Sequence, residues 1–412
     1  MCEADHPWTP ALFTCPECRG NLEVVLNTDA VREAHGPRDW VVDDLPGIWR
    51  YSCLLPLRGD VEARTPLLVG GTPLFDGFRV LPEVDAPGRL LLKDDTRNPS
   101  ASFKDRASAV ALAYGLEQGA TVLAGASTGN AGASMACLAA SLGRRAMIFI
   151  PRTAPRAKVA QLLLHGALVV RVDGTYDDAF DLCQRLSERH GWFNRNTGSN
   201  PYTREGKKTV SFEIVEQLGW NAPDVVFVPV GDGNILSGVW KGFLDLHAVG
   251  ALRRLPRLVA VQSKKSNAVA EAWERLCSGS TTLKQAMRPV RATTCADSIA
   301  VDRPRDGFAA LRALEESNGN AIQVNDSAIL EAAAELARKT GLFAEPAGAT
   351  ALAGVHKWAR TRGFHPDETV VALVTGSGLK DVDTLLEVAP EAVEVPRDVG
   401  GAWDILEERL RT

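Results

Sequence analysis

Short apolar runs alternate with helix-like stretches along most of the chain. Runs at 89–93, 121–124, 146–150, 167–172, 225–230, 258–262 and 370–374 read as strands, most of them buried. Between and after them, 103–118, 130–142, 155–165, 176–190, 235–246, 328–339 and 347–360 read as helices. Gly119 and Gly143 stand where two of these helices should stop. Strands alternating with helices over this length predict an α/β fold with mainly parallel, twisted sheets. No short internal repeat or low-complexity tract interrupts the pattern.

Composition adds limits. The 412 residues, 45% hydrophobic and 24% charged, are enough for two or more compact units of an ordinary globular protein. A net charge of −5 gives no general attraction for nucleic acid or an anionic membrane, so neither is expected as a partner. One uncharged run, 121–143, is long, but its first half is rich in Gly, Ser, Thr and Asn. A strand–turn–helix accounts for it better than a bilayer span. The first six residues lack the basic start and apolar stretch of a secretory signal. Together with eight scattered cysteines, this points to a reducing, cytoplasmic setting.

Residues 1–66 read as an extension with a cysteine pair, tryptophans and short strands. Cys15 and Cys18 form the only tight pair. A zinc ribbon needs a second pair, and Cys2, Cys53 and His6 do not make one, so no metal is expected there.

The chemistry concentrates around one lysine. Residues 93–106 run Lys-Asp-Asp-Thr-Arg-Asn-Pro-Ser-Ala-Ser-Phe-Lys-Asp-Arg. Pro99 breaks the chain, and Ser100 is placed to cap a helix starting at Ala101. Lys104 then lies in the first turns, where the helix dipole disfavours an ammonium. A lysine that loses its proton easily suits imine chemistry. A solvated helix face is the plain alternative. Three Gly-rich turns change the balance: Ser127-Thr128-Gly129-Asn130, Gly231-Asp232-Gly233-Asn234 and Thr375-Gly376-Ser377-Gly378, each after a strand. Ligands bind at such turns in open α/β sheets. A dinucleotide fingerprint is ruled out because Leu236 takes the place of the third glycine. A P-loop is ruled out because Lys208 follows Lys207 where Ser or Thr belongs.

These motifs resemble those of pyridoxal-phosphate (PLP) enzymes of fold type II, and threonine synthases most closely. The likeness also takes in 173–179, 200–202, 205–209 and 345–347, and spans about residues 66–385. It implies a two-domain α/β protein: an extension at 1–66, a large PLP-binding domain of 67–120 with 201–390, a small α/β domain at 121–200, and a tail at 391–412. It implies that Lys104 carries pyridoxal 5'-phosphate as a Schiff base and moves protons at the substrate's α and β carbons. Asn130 would bond the phenolic oxygen, and Gly231, Asp232, Gly233 and Asn234 would cup the phosphate. Thr375 would face the pyridine nitrogen. Ser127 and Thr128 would bind the carboxylate of an amino-acid substrate, with Arg204 and Lys207 as further anion ligands. A homodimer is also implied.

The likeness has gaps. Ala131 stands where threonine synthases carry a threonine. Thr203 stands where they carry an arginine, which here comes one residue later as Arg204. Both changes weaken recognition of a phosphorylated substrate. Lys207, Lys208 and Arg204 are candidates to compensate, and Arg303 and Arg305 are candidates to contact an anionic substrate group, with a surface loop as the plain alternative. The leading expectation is a lyase converting O-phosphohomoserine and water to threonine and phosphate. A β-elimination or β-replacement enzyme stands beside it, a serine/threonine dehydratase or a cysteate synthase-like protein. A non-catalytic PLP-binding regulator comes third.

Overall fold

The computed structural model describes residues 2, 4–10, 12–154 and 156–410. Among these, ten strands are found: β1 (Leu74–Asp76), β2 (Arg89–Asp94), β3 (Leu123–Ala126), β4 (Ala146–Pro151), β5 (Leu168–Val172), β6 (Phe193–Asn194), β7 (Val225–Pro229), β8 (Arg257–Ser263), β9 (Asn320–Val324) and β10 (Thr369–Val374). They build a six-stranded sheet in the order β1-β2-β10-β7-β8-β9 and a four-stranded sheet in the order β5-β4-β3-β6. All pairs are parallel except β1 with β2.

The apolar runs follow from burial on both faces. In the larger sheet, Val226, Val228, Leu91, Val371 and Leu373 point into one core. Their neighbours Val225, Phe227, Leu90, Leu92, Val370 and Ala372 point into the other. Each such side chain contributes about 1.5–3 kcal/mol when buried. A polar residue on either face would forfeit that, so the strands read as unbroken runs.

The expected helices appear as Lys104–Glu117, Asn130–Ser141, Arg156–Leu164, Tyr176–His190, Asn234–Ala248, Asp326–Thr340 and Pro346–Arg362. Pro155, the expected start of the third, lies outside the described residues. Two expectations are corrected. The lysine helix starts at Lys104 rather than Ala101, because Ala101 has a left-handed φ of 62° that no α-helix tolerates. The N-terminal extension holds no strand among its described residues. It carries instead a helix at Thr28–His35, a 3₁₀ segment at Gly47–Leu54 and a lone bridge between Thr14 and Asn21.

Candidate active site

Parallel pairing sends the carboxyl ends of β2, β7 and β10 to the same edge of their sheet, and those of β3 to β6 to one edge of the other. The loop after β2 is fixed by the loop after β10. Phe103 N donates to Thr375 O (2.8 Å), Ser377 N donates to Ala101 O (3.0 Å), and Ser102 bridges Gly376. These bonds hold Ala101 in a backbone region that costs a non-glycine residue about 1–3 kcal/mol. Ser100 does not cap the helix; its N–H and hydroxyl donate to the buried Asp105 carboxylate at 2.6 and 2.5 Å. The loop so braced delivers Lys104 as the first helical residue.

Lys104 opens onto a cavity of about 560 Å³ between the two sheets. Ser127, Thr128 and Asn130 line it from β3, Arg195 from β6, and Gly231, Asp232 and Gly233 from β7. Arg303 and Arg305 close it from the segment before the helix at Gly307–Glu316. Burial lowers the basicity of the Lys104 amine, against the opposing pull of the Asp232 and Glu345 carboxylates. Burial, more than the helix dipole, prepares this lysine.

Glu345 caps the helix Pro346–Arg362, and its Oε1 accepts from Asn130 Nδ2 at 2.7 Å. Burial pushes its carboxyl up to about 7, although the Lys104 charge favours ionisation. Asn130 Nδ2 also donates to Ser298 Oγ at 3.1 Å. Arg195 is buried, with Nε bonded to Ser108 (3.1 Å) and Nη1 to Thr197 (2.9 Å). Its Nη2 is buried without a hydrogen-bond partner, and burial lowers its basicity to about 10. A buried guanidinium with an unused donor at the wall of a cavity is a ready anion ligand.

The family described as pyridoxal-phosphate dependent enzymes matches residues 65–376. A threonine synthase of Methanocaldococcus jannaschii is 33% identical over 96% of this chain and 96% of its own. One from Mycobacterium tuberculosis (strain ATCC 25618 / H37Rv) is 34% identical over 86% of this chain and 94% of its own. The chain belongs to the threonine synthase family of pyridoxal-phosphate dependent enzymes. Among solved structures, maize serine racemase superposes with a TM-score of 0.61 at 23% identity, over 82% of this chain and 92% of that one, which shows the shared fold. The family is PLP-dependent, and the residues present fit the cofactor. They offer an amine of depressed basicity, an unpartnered buried guanidinium, and a loop whose glycines cannot carry a Cβ. At Gly233, φ is 94° and a Cβ would crowd the Asp306 carbonyl.

Measured against a threonine synthase-like site, Lys104, Ser127, Thr128, Asn130, Gly231, Asp232 and Gly233 converge on one cavity. Asp232, an odd neighbour for a phosphate, turns Oδ1 onto the Asn234 amide at 3.0 Å. Thr375 is buried at the end of β10 and holds Phe103 through its carbonyl. Asn234 and Lys207 lie buried behind the loop. Lys207 Nζ donates to Asn234 Oδ1, and Asn234 Nδ2 to Asp306 Oδ2 at 2.8 Å. Burial lowers the basicity of Lys207 well below the usual lysine value. Arg204 lies outside this set. It faces away from the Lys104 cavity and pairs with Asp306 at 2.6 Å and with Glu23 at 3.7 Å. The one-residue displacement from the family pattern turns it to another side of its helix. Its role is to hold Asp306, which braces the Gly231–Gly233 loop through Asp306 N to Asp232 O at 2.9 Å. Sequence reasoning missed Arg195, Ser298 and the carboxylate role of Glu345. Glu345 sits in a matching motif. Arg195 has no local signal, since only the end of β6 carries it to the cavity.

Proposed function

We propose that the chain converts O-phosphohomoserine and water to threonine and phosphate. The observation that carries this reading is a second set of cations. Arg195, Arg303 and Arg305 line the Lys104 cavity in addition to the glycine loop. The cofactor brings one phosphate and a phosphorylated substrate brings another. Guanidinium groups suit the second by geometry and charge. Arg305 is already paired with Asp177 at 3.1 Å, whereas Arg195 Nη2 has no partner, and serine or threonine as substrate would leave it so.

In this reading, bound pyridoxal phosphate supplies the electron sink for bond breaking at the substrate's α-carbon. Lys104 would hold the cofactor and move protons at the substrate's α and β carbons. Asn130 holds the phenolic oxygen, positioned by Glu345. The amides of Gly231 to Asn234 receive the cofactor phosphate at the start of a helix. Thr375 would offer the pyridine nitrogen a hydroxyl, a weak acid that would leave it neutral. Ser127 and Thr128, before the helix Asn130–Ser141, take the substrate carboxylate. Lys158 pairs with Asp297 at the mouth of the cleft. We also infer a cytoplasmic homodimer, which light scattering of the purified protein would check. Among the described residues no helix is long and apolar enough to cross a membrane.

A second reading, β-replacement on phosphoserine, draws support from Ala131, which lines the cavity without a hydroxyl. One experiment separates the two. PLP-loaded protein is given O-phosphohomoserine, O-phosphoserine, serine and threonine separately, and phosphate, ammonia and amino-acid products are followed. Phosphate release with threonine from the first substrate is expected. Turnover of O-phosphoserine alone would move the assignment to β-chemistry. Keto acid from serine or threonine, with both phosphate esters inert, would overturn the proposal. Lys104→Ala should cut turnover at least about a thousandfold and abolish borohydride fixation of the cofactor.

A further inference from the structure

The N-terminal extension gathers chemistry that catalysis does not use. The sulfurs of Cys2, Cys15 and Cys18 all lie within 4.8 Å of one another. Cys2 Sγ is 3.5 Å from Cys15 Sγ, and His6 Nε2 is 3.2 Å from the same Cys15 Sγ. A tetrahedral zinc with Zn–S near 2.3 Å and Zn–N near 2.0–2.1 Å sets two sulfurs about 3.8 Å apart, and sulfur and nitrogen about 3.6 Å apart. The Cys2–Cys15 and His6–Cys15 separations are near those values, and His6 stands just outside the mutual three-sulfur group, so a small movement of its ring completes the tetrahedron. The sulfur–sulfur separation is far longer than a disulfide bond, and all eight cysteines are free.

The backbone is shaped to match. Thr14 bridges Asn21, Cys15 N donates to Gly20 O at 2.8 Å, and Arg19 N donates to Cys15 O at 2.9 Å. Arg19 takes a left-handed φ of 57°, which turns the chain sharply after Cys18. The Gly20 amide points at Cys18 Sγ from 3.4 Å, the kind of bond that steadies a ligating thiolate. The sequence holds no second close pair of ligands beside Cys15 and Cys18. The fold replaces that pair with Cys2 and His6, brought back over the Cys15–Cys18 turn.

We propose that Cys2, Cys15, Cys18 and His6 bind one zinc ion in a closed, structural site. Four protein ligands leave no open position, so the metal does no chemistry. It fastens a segment poor in regular structure against the catalytic body. Trp8 Nε1 reaches Tyr202 OH at 3.3 Å, Asn21 Nδ2 reaches Arg305 O at 2.8 Å, and Glu23 pairs with Arg204 and Arg312. The site thereby supports Arg204 and Arg305, one bracing the glycine loop and the other lining the cavity.

The test is metal analysis of the full-length chain, purified reduced and without chelator. About one zinc per chain is expected. Cobalt added after zinc removal should give the intense visible bands of a tetrahedral thiolate site, unchanged in the Lys104→Ala variant, which places the metal outside the catalytic cleft. Cys15→Ser and Cys18→Ser should lose the metal, and His6→Ala should weaken binding by about tenfold or more. If the cysteine variants do not fold, thiol titration of the unaltered chain decides. Zinc should shield three thiols until a chelator is added. A zinc-free protein that gives no cobalt spectrum would overturn the site. So would a Cys2–Cys15 or Cys15–Cys18 disulfide in protein kept reduced.

Discussion

Lys104 and Arg106 are two residues apart on one helix and face opposite ways, as a helical turn of 3.6 residues requires. Both are surrounded by buried charge, yet the two surroundings differ in kind. Arg106 spends its guanidinium on Asp95, Glu213, Thr209 and Thr72 through bonds of 2.6–3.0 Å. Lys93 joins the cluster through Glu213 at 2.7 Å. Every charge there is answered. On the Lys104 side, the amine has no hydrogen bond among the described residues, Arg195 keeps an unused donor, and Glu345 is pushed toward neutrality. Both regions are buried and rich in titratable groups. The difference is saturation: the closed cluster holds the fold, and the open one awaits a ligand.

Removing one partner from the closed cluster should have the largest effect on stability. Glu213 is held ionised, well below the usual carboxylate range, by Arg106 and Lys93 in spite of burial. Glu213→Gln leaves Lys93 buried without its anion and Arg106 with Asp95 alone. A loss of about 3–5 kcal/mol in unfolding free energy is expected from denaturant titration. A loss under about 1 kcal/mol would mean that the cluster does not carry the fold as argued.

The open cluster should show itself through pH. The Glu345 carboxyl rises from 4.5 to about 7 on folding. The folded state therefore holds a proton there that the unfolded state has released. The sign follows: this group costs nothing below about pH 4.5, and its cost grows as pH rises toward 7. Glu345→Gln should match the parent protein at low pH and exceed it in stability above neutrality, by up to about 3 kcal/mol in the cofactor-free form. A difference that does not change with pH would contradict this.

The closed cluster and the open one were not equally legible in the sequence. Strands buried on both faces, such as β7, showed as unbroken apolar runs. The two-residue β6, the exposed edge strand β1 and β9 with its polar Gln323 did not. Lys104, Asn130 and the glycine loop carried local motifs, because backbone conformation there restricts which residues fit. Arg204 stood out because it lies one residue from a motif position, and Arg195 lies in no motif. Linear distance does not say which side of a helix a guanidinium leaves from, and pairing with Asp306 decided it. The approach of Cys2 to Cys15 was hidden for the same reason, since a loop of twelve residues separates a contact that only the folded chain makes.

The same substitution made on both sides gives the finest test and the smallest effect. Arg→Lys keeps the charge and removes the planar fork. At Arg106 the fork is spent on protein carboxylates, so Arg106→Lys should lower unfolding free energy and leave KM unchanged. At Arg195 the unused Nη2 is available to a ligand's anion. Arg195→Lys should raise KM for O-phosphohomoserine about tenfold, with a smaller change in kcat and little change in stability. If Arg195→Lys instead destabilises the fold without moving KM, its environment is as closed as that of Arg106, and the division between the two sides of the helix fails.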